Sequence, residues 1–552
     1  MIDSISELCR CGFADLLKWF SEKERRICQM GMAQASLFEA GVVSCCEGEG
    51  ESGKELARRA GKAKIEYVNR TQEFFYVTVI DKIVGCDHEV RAIWEFVTDL
   101  DLSGFEDEIR SEEGSAGRRA LEPAMLISLW VYAYSKGVSA AREIGRLCVE
   151  SPAYQWLCGC RPVSYHTLSS FRVKHNKALT ELFAQILGVM SAEGLVTLER
   201  VMHDGTKVKA YASGDRFRRE KTLDTHLEQA QEQVRAMVEQ GEKGEAVGAR
   251  VDRRRQRRAQ ERVGRLESAK RQLKKLQQAK PASEREDVRV NESDPDCRIM
   301  KQGDGAYAPS YNVQISTDAD NAVIVGVGVT QQCSDHGELE PSVERIEQQS
   351  GKAPEQMVVD GGFMSRETIL SMDERGVDLV GPMGDGDEQG VGQLKRRGIA
   401  AEFFPSAFTY DMARDVFLCP AGAQMKLDGK EKRIGVTKFV YRCDIRVCGD
   451  CCFRDKCCPG NEAKGRSVSR SVEHPVVAAH REKMQTEQAK AVYKQRGGVA
   501  EFTNAWLKTK NGLRQFRLRG LAKVSLEVLW ASMTYNIQQW IRLRWRPRLS
   551  SA

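Results

Sequence analysis

Apolar residues recur at helical spacing through the first third of the chain and at strand spacing after it. Between residues 87 and 194 their three-to-four-residue period predicts a series of short helices. One of these helices is predicted to begin at Pro123, since proline suits the first position of a helix. Residues 1–86 have a helical pattern as well, so we expect the first third of the chain to be all-α.

After residue 194 the pattern changes to apolar runs that predict β-strands. The runs lie at 195–204, 311–317, 322–329, 356–360 and 377–380. Helical patterns separate the last three runs from one another, and strands that alternate with helices are typical of an α/β sheet. We therefore expect an α/β fold with a mixed sheet and flanking helices.

Two polar segments interrupt the predicted sheet. Residues 213–300 are highly charged, and they predict an antiparallel helical hairpin that is too polar to form its own core. Residues 383–480 are rich in cysteine and are expected to form a loop without a core. The predicted organisation is an N-terminal extension of unknown role, a helical domain, an α/β domain in two pieces, the hairpin and the cysteine-rich insert (1–86, 87–194, 195–382 with 481–552, 213–300 and 383–480).

Positive charge is concentrated in two blocks, although the net charge of the whole chain is only +6. Residues 250–280 contain 13 Lys and Arg against 3 Asp and Glu, and residues 508–548 contain 10 against 1. Such blocks either bind a polyanion such as nucleic acid or form a solvated helix face. Two of them in one chain favour a nucleic-acid partner.

The 18 cysteines are expected to be reduced, because the sequence predicts a cytoplasmic protein with neither a membrane helix nor a secretory leader. In a reducing cytoplasm, clustered cysteines bind metal more often than they form disulfides. Seven cysteines lie between residues 419 and 458, and four of them have the spacing of a structural zinc site, namely Cys419, Cys448, Cys451 and Cys457. The other interpretations are a set of free thiols, or zinc ligands drawn instead from Cys443, Cys452 and Cys458.

Two aspartates stand at predicted strand ends, where an open α/β sheet presents catalytic groups. Asp204 and Asp360 each follow an apolar run and each precede a glycine, which would let the backbone turn sharply. Two carboxylates that converge on one crevice repel each other unless cations neutralise them. Magnesium prefers such oxygen ligands, and a pair of magnesium ions supports phosphodiester cleavage. Taken singly, each aspartate is better explained as a turn or helix cap.

Glu501 is the third candidate acid. It lies seven residues before Lys508, so both side chains are predicted to share one helix face, two turns apart. A carboxylate on a metal ion and a lysine on the neighbouring phosphate would then point into one cleft. A pair of charges on a solvated helix is the alternative.

Two short helices within residues 140–174 carry a candidate DNA-binding surface. A turn near residues 158–162 separates them, and Ser164 is the predicted N-cap of the second helix. That helix leaves polar and basic side chains free to face outward, namely Tyr165, His166, Thr167, Ser170, Arg172 and Lys174. The arrangement is typical of a helix-turn-helix, and an ordinary helical bundle has the same pattern.

These acids stand in three motifs with a recognisable order. They are His-Asp204-Gly-Thr-Lys, Val-Val-Asp360-Gly-Gly-Phe, and Tyr493-x2-Arg496-x4-Glu501-x6-Lys508. Together they resemble the two aspartates and the Y-R-E-K signature of bacterial insertion-sequence transposases of the DDE class. The commonest form of the signature has three residues between the Arg and the Glu, where four stand here. Because Gly497 and Gly498 weaken a helix, we expect the helix that bears Glu501 to start after them.

The resemblance implies an RNase H-like core in which Asp204, Asp360 and Glu501 bind two Mg²⁺ or Mn²⁺ ions. It also implies that Arg496 and Lys508 contact phosphates and that Tyr493 lies near the transposon end. Residues from about 87 to 174 resemble the DNA-binding domain of these enzymes.

An enzyme of this kind binds the terminal inverted repeats of its element, cleaves the DNA and joins the 3′ ends to target DNA. The implied partner is double-stranded DNA in the bacterial cytoplasm and nucleoid, with a homodimer when two ends are paired. The alternatives are an inactive or domesticated DNA-binding relative, and a metal-dependent nuclease without strand transfer. All three acids are present, which favours the active enzyme.

Overall fold

Helices fill the first part of the described chain. The computed structural model describes residues 79–109, 119–242, 249–384, 386–459 and 464–551. After a 3₁₀ turn at Ile80–Ile83 the helices are α1 (Glu89–Thr98), α2 (Ser103–Glu106), α3 (Pro123–Ser135), α4 (Ala141–Glu150), α5 (Pro152–Cys158), α6 (Tyr165–Lys174) and α7 (Asn176–Ala192). Pro123 begins α3 as predicted, because the first helical turn has no partner for the amide hydrogen that proline lacks. The helical pattern expected before residue 79 lies outside the described residues.

A long helical hairpin follows the first strand. After β1 (Arg200–Lys209), the short strands β2 (Phe217–Arg218) and β3 (Val290–Asn291) pair beneath the helices α8 (Glu220–Glu242) and α9 (Ala249–Gln278). The hairpin has a small buried seam that includes Leu223, Leu266 and Leu273. The expectation that it is too polar for a core of its own is therefore wrong, since a narrow apolar stripe is enough to join two helices.

The main sheet of the described chain is mixed and has six strands. Besides β1 it contains β4 (Arg298–Lys301), β5 (Tyr307–Asp318), β6 (Ile324–Thr330), β7 (Gln356–Val358) and β8 (Asp378–Val380), with α10 (Leu339–Ser350) after β6 and α11 (Arg366–Glu374) after β7. β5 pairs antiparallel with β1 along one edge and with β4 and β6 along the other. β7 pairs parallel with β1, and β8 with β7. The expected mixed α/β sheet is confirmed, with β1 and β5 at its centre.

The cysteine-rich segment forms a second, antiparallel sheet of five strands. It follows α12 (Gly386–Arg396) and comprises β9 (Thr409–Asp411), β10 (Val416–Leu418), β11 (Gln424–Arg433), β12 (Val436–Cys443) and β13 (Ser467–Glu473), with α13 (Ile445–Gly449) and α14 (Arg454–Cys457) before β13. Phe417, Met425 and Tyr441 are buried in a core of its own. The expectation of a loop without a core is wrong, because Tyr441 and Cys443 give β12 a buried face.

Helices end the described chain. They are α15 (Pro475–Gln485), α16 (Glu487–Arg496), a π-helical turn (Gly497–Glu501), α17 (Phe502–Thr509), α18 (Leu521–Trp540), a second π-helical turn (Ile541–Trp545) and α19 (Arg546–Ser551). Helix α18 is almost entirely buried and packs against α3, α7 and β6. None of the described helices combines the length and the apolar composition that a membrane span requires.

One buried core joins the first helices to the main sheet. It contains residues from Val84 to Trp545. At its centre the rings of Trp130 and Trp530 lie 6.2 Å apart, and the indole N–H of Trp530 donates to the backbone oxygen of Arg172 in α6. The described residues therefore belong to one compact unit, in which α18 lies between the helices and the sheet.

Candidate active site

The pairing of β1 with β7 brings Asp204 and Asp360 to one edge of the main sheet. Met202 is opposite Val358, the last residue of β7, and each aspartate lies two residues further along its chain. β7 ends there, whereas β1 continues to Lys209 because β5 still pairs with it. The prediction that Asp204 ends its strand is therefore wrong. No described strand pairs with residues 203–208 on the side of β7, so this edge of β1 is open.

The carboxylate of Asp204 is largely buried and held by two donors. Asn504 Nδ2 donates to Oδ2 at 2.9 Å, and the amide of Gly205 donates to Oδ1 at 3.0 Å. Burial raises the pKa of Asp204 to about 6, Arg496 opposes this shift, and the nearby Asp360 carboxylate adds to it. The charge of Asp360 thus makes the ionised form of Asp204 less favourable.

Arg496 links Asp204 to Glu501. Its Nη1 lies 3.5 Å from Asp204 Oδ1, and its Nη2 lies 3.8 Å from Glu501 Oε1. The Glu501 side chain is 67% exposed, whereas that of Asp204 is 18% exposed, so only Glu501 has room to change its rotamer. Arg496 is expected to contact a phosphate, and here it pairs with the two carboxylates instead.

A π-helical turn carries Glu501. Helix α16 passes through Gly497–Glu501 into α17 without a break, so the prediction that the helix starts after Gly498 is wrong. A π-helical turn closes i→i+5 hydrogen bonds and therefore accommodates one residue more than an α-helical turn. This explains how four residues fit between Arg496 and Glu501 while both side chains still face the same site.

Lys508 and Tyr493 flank the acids on the same helical stretch. Burial lowers the pKa of Lys508, and the charge of Lys207 adds to this effect while that of Asp204 opposes it. Tyr493 packs against the apolar cluster of Met202 and Val358 beneath the aspartates. The structure thus brings together Asp204, Asp360, Glu501, Arg496 and Lys508, and it places Tyr493 at the base of the site.

Asn504 is a site residue that the sequence did not indicate. It is 7% exposed, and its Oδ1 is buried without a hydrogen-bond partner while its Nδ2 holds Asp204. The guanidinium Nη1 of Arg496 is likewise buried without a hydrogen-bond partner. The signal available in the sequence was its position three residues after Glu501, on the same helix face. A buried amide oxygen without a donor, on a side chain that contacts the Asp204 carboxylate, is the kind of ligand that a hard cation prefers.

Two segments of the chain match transposase families. Residues 418–541 match the family described as "Transposase DDE domain", and residues 78–174 match the family described as "Transposase domain (DUF772)". The predicted resemblance to DDE transposases is confirmed. The first match contains Glu501 and Lys508, and the second contains α1 to α6.

Comparisons over the whole chain give no further support to these two family matches. No curated protein matches the chain. Among solved structures the chain is similar to a piggyBac transposase in a synaptic complex with hairpin DNA, at 9% sequence identity. That comparison covers 82% of this chain and 81% of the other, with a TM-score of 0.26, which establishes no shared fold.

Six cysteines line one cavity of about 30 Å³ next to the second sheet. They are the four expected zinc ligands, Cys419, Cys448, Cys451 and Cys457, together with Cys443 and Cys458. Burial raises the pKa of the Cys443 thiol to about 12, and its hydrogen bond with Cys448 adds to the shift. Burial also raises the pKa of Cys457 to about 11. Cys452 is exposed and does not line this cavity.

Neither the acid site nor the cysteine cavity forms a closed metal site. Within the part of the chain that the structure describes, no three His, Cys, Asp or Glu side chains are arranged as a group that could hold a metal ion. At the acid site Arg496 stands between Asp204 and Glu501. A cation would have to displace this guanidinium before all three acids could share it.

The predicted DNA-binding face of α6 is only partly exposed to solvent. Ser164 Oγ accepts from the amide of His166, so Ser164 caps α6 as predicted. His166, Thr167 and Lys174 are exposed, and Tyr165 is half-buried. Arg172 is 4% exposed, which contradicts its expected outward position.

The burial of Arg172 has a physical cause. Its guanidinium lies 4.8 Å from the ring centroid of Trp130 and donates to the backbone oxygen of Ser139 at 2.7 Å. An aromatic face and a carbonyl together replace water around a guanidinium. The polar pattern that suggested a surface residue therefore marks a buried contact between α6 and its neighbours.

The two basic blocks of the chain differ in exposure. In α9 the arginines at positions 254, 255, 258, 262 and 265 are exposed. At the end of the chain, Arg544 and Arg546 lie within 3.4 and 3.9 Å of Glu193 and Glu89. The first block thus presents its charge to solvent, whereas part of the second neutralises acids of α7 and α1.

Proposed function

We propose that this DNA transposase cleaves phosphodiester bonds at Asp204, Asp360 and Glu501 and joins the freed 3′ ends to target DNA. The observation that carries the proposal is the convergence of the two aspartates at the open edge of β1, with Glu501 linked to Asp204 through Arg496. A mixed sheet with flanking helices around these acids supports an RNase H-like core. The domain boundaries expected from the sequence are part of the same proposal.

The acid site offers oxygen ligands for two divalent ions once Arg496 has turned away from Asp204 and Glu501. Asp204, Asp360 and Glu501 offer the hard oxygens that Mg²⁺ or Mn²⁺ prefers, and the unpartnered Asn504 Oδ1 adds a neutral oxygen beside them. Such ions, when bound, activate water and stabilise the leaving oxygen of a phosphodiester. The raised pKa of Asp204 supports the same assignment, because a carboxylate that is costly to ionise gains most from a nearby cation.

The protein side chains divide the remaining work. Asn504 and the Gly205 amide fix the orientation of the Asp204 carboxylate. Arg496 neutralises Asp204 and Glu501 in the free protein, and on substrate binding its guanidinium can turn to a phosphate. Lys508, partly buried next to Asp204, holds a second phosphate oxygen, and Tyr493 supports the floor near the transposon end.

The surfaces for double-stranded DNA are proposed from exposure and charge. The exposed arginines of α9 provide a non-specific phosphate surface, since basic side chains release counterions from DNA. His166, Thr167 and Lys174, with Tyr165 beside them, form the outward face of a helix-turn-helix that reads the terminal repeats. Two copies of the chain pair the two ends as a homodimer.

A structural Zn²⁺ ion is proposed for the cysteine cavity, whose thiols would have to rearrange to hold it. Cys419, Cys448, Cys451 and Cys457 line it as the proposed ligands, and Cys443 and Cys458 are the alternatives within reach. Zinc binds thiolates, so its binding would release protons from groups such as Cys457, whose pKa is raised in its absence. The ion would order the second sheet, and its role would be structural because four thiolates leave no open position.

The proposal is tested by cleavage and joining. The substrate is a plasmid carrying the DNA that flanks the reading frame on both sides, incubated with Mg²⁺ and a second plasmid as target. We expect nicks at both ends and joined products from the parent, and a loss of at least about 1,000-fold in Asp204→Ala, Asp360→Ala and Glu501→Ala. Glu340→Ala, an exposed acid on α10, is the matched control and should cleave as the parent does.

Three other outcomes would contradict the proposal. Binding without cleavage by the parent would indicate a DNA-binding protein without catalytic activity. Cleavage without joined products would indicate a nuclease. Cleavage that survives any of the three substitutions would mean that the acid concerned does not belong to the site.

A further inference from the structure

A second polar cluster lies against the residue that follows Asp204. The carboxylate of Asp335, in the loop after β6, accepts hydrogen bonds from side chains of β1 and β5. The donors are Lys207, Asn312 and Gln314. A methyl group added at Gly205 would lie 2.2 Å from Asp335 Oδ1, so any larger residue there would push this carboxylate away. Gly205 therefore lets Asp335 approach β1, rather than turning the chain as expected from the sequence.

The hydrogen bonds around Asp335 hold it as an anion. Lys207 Nζ lies 3.0 and 3.1 Å from the two carboxylate oxygens. Asn312 Nδ2 and Gln314 Nε2 lie 2.7 and 3.0 Å from Oδ1. Burial opposes ionisation, but these donors outweigh it and lower the pKa of Asp335. The carboxylate is thus already occupied by its donors, and what it offers the site is a fixed position for the ammonium of Lys207.

Lys207 stands on the open stretch of β1, three residues beyond Asp204. Successive side chains of a strand point to opposite faces, so Lys207 and Asp204 lie on opposite faces of the same free edge. Burial lowers the pKa of Lys508, and the charge of Lys207 lowers it further. The side chain of Lys207 is 17% exposed, and its ammonium has three hydrogens for the two carboxylate oxygens it contacts.

We propose that Lys207 binds a phosphate of the DNA strand that is cut at Asp204, with Asp335 as the positioning residue that holds its ammonium and Asn312 and Gln314 holding the Asp335 carboxylate. This inference rests on the proposed function and adds a phosphate contact to the same site. A phosphodiester fits because it is an anion that accepts from a fixed ammonium, and because it must pass the open edge of β1 to reach the acids. Lys508 on one face of the sheet and Lys207 on the other would hold successive phosphates of one DNA strand.

The test compares Lys207→Gln, Lys207→Arg, Asp335→Asn and the double variant Lys207→Gln/Asp335→Asn with the parent. We expect single-turnover cleavage to fall about 10- to 100-fold in Lys207→Gln and about tenfold in Asp335→Asn, with at least partial recovery in Lys207→Arg. Because both changes act through one ammonium, the double variant should cleave within about twofold of Lys207→Gln. It also removes both charges together, so its thermal melting reports whether an unpaired Asp335 disturbs folding. Lys301→Gln, an exposed lysine of β4, is the matched control and should cleave like the parent.

A binding measurement without metal separates this inference from the proposed function. The affinity of each variant for a duplex of arbitrary sequence is measured against salt concentration, and the slope should fall by about one phosphate contact in Lys207→Gln. A parent that fails to cleave would overturn the proposed function, while the slope would still test Lys207. Parent-like cleavage or an unchanged slope in Lys207→Gln would overturn the inference, and so would a double variant that loses the product of the two single effects.

Discussion

The acid site and the cysteine cavity bring their side chains together in opposite ways. Asp204, Asp360 and Glu501 come from three distant parts of the chain, and the main sheet with its long helices places them. The cavity cysteines all come from residues 419–458, and a five-stranded sheet with a small core places them. The first site therefore belongs to a large framework, whereas the second belongs to a local one.

This difference implies different consequences of metal binding. The main core contains residues from Val84 to Trp545, so the acid site should keep its shape without any cation. The core of the second sheet is small, with Phe417, Met425 and Tyr441 among its few buried side chains. We expect a local core of this size to gain much of its stability from a metal ion bound by its thiols. The metal ions at the acid site would thus be catalytic, whereas the ion at the cysteines would be structural.

The largest expected effect is on the cysteine cavity. We expect natively purified protein to hold about one zinc ion per chain, and Cys448→Ser/Cys457→Ser to hold none. Because metal binding contributes directly to folding, the variant should lose roughly 5 kcal/mol or more of local stability in the second sheet. Metal analysis checks the first result, and limited proteolysis between residues 386 and 473 checks the second.

The acid site provides the contrasting measurement. Removing Mg²⁺ by dialysis should leave the melting temperature of the protein within about 2 °C of its starting value.

The matched control for the cysteine variant is Cys452→Ser, which changes the exposed cysteine outside the cavity and should keep its zinc. A zinc content that is the same in the double serine variant, or zero in the parent, would remove the proposed difference between the two regions.

The candidate acids could be predicted from the sequence because each stands in a short, recognisable motif. Apolar runs that end in Asp-Gly indicated Asp204 and Asp360, and the pairing of Met202 with Val358 explains why they meet. The alternation of strands and helices predicted the mixed sheet. These features depend on local sequence and on the general rule that parallel strands present their ends at one edge.

The details that decide the chemistry depended on contacts between distant residues. The strand β1 runs past Asp204 because β5 pairs with it through Lys209. The sequence predicted Arg172 at the surface, whereas the ring of Trp130 and the carbonyl of Ser139 surround its guanidinium in the structure. Asn504 had no motif, because its importance comes from the Asp204 oxygen that it contacts. None of these partners can be inferred from residue type or spacing.

A smaller effect is expected at Asn504. Asn504→Leu keeps the branched shape of the side chain but removes the hydrogen bond to Asp204 and the unpartnered Oδ1. A hydrogen bond to a charged group contributes about 1.5–3 kcal/mol, so cleavage should fall about 10- to 100-fold. Single-turnover rates over a range of Mg²⁺ concentrations measure this change.

The metal dependence of this variant decides how Asn504 acts. If it orients Asp204 for the cation, the Mg²⁺ concentration for half-maximal rate should rise in Asn504→Leu. Ala505→Leu, at the exposed neighbouring position of α17, is the matched control and should leave both values unchanged. A parent-like rate and Mg²⁺ requirement in Asn504→Leu would show that the framework alone orients Asp204, which would make the acid site still less dependent on local contacts.

The smallest effect concerns the π-helical turn that carries Glu501. No heavy atom lies within 4 Å of the position that a methyl group would take at Gly498, so alanine fits there without a clash. Alanine loses less backbone entropy than glycine on forming a helix, and Gly498→Ala should therefore raise the free energy of unfolding by about 0.5–1 kcal/mol. Chemical denaturation measures this gain, and cleavage should stay within about twofold of the parent because the turn keeps its extra residue. A gain in stability accompanied by a large loss of cleavage would mean that alanine converts the turn to a regular α-helix and rotates Glu501 out of the site. The acid site would then depend on a local backbone feature, as the cysteine cavity depends on its sheet.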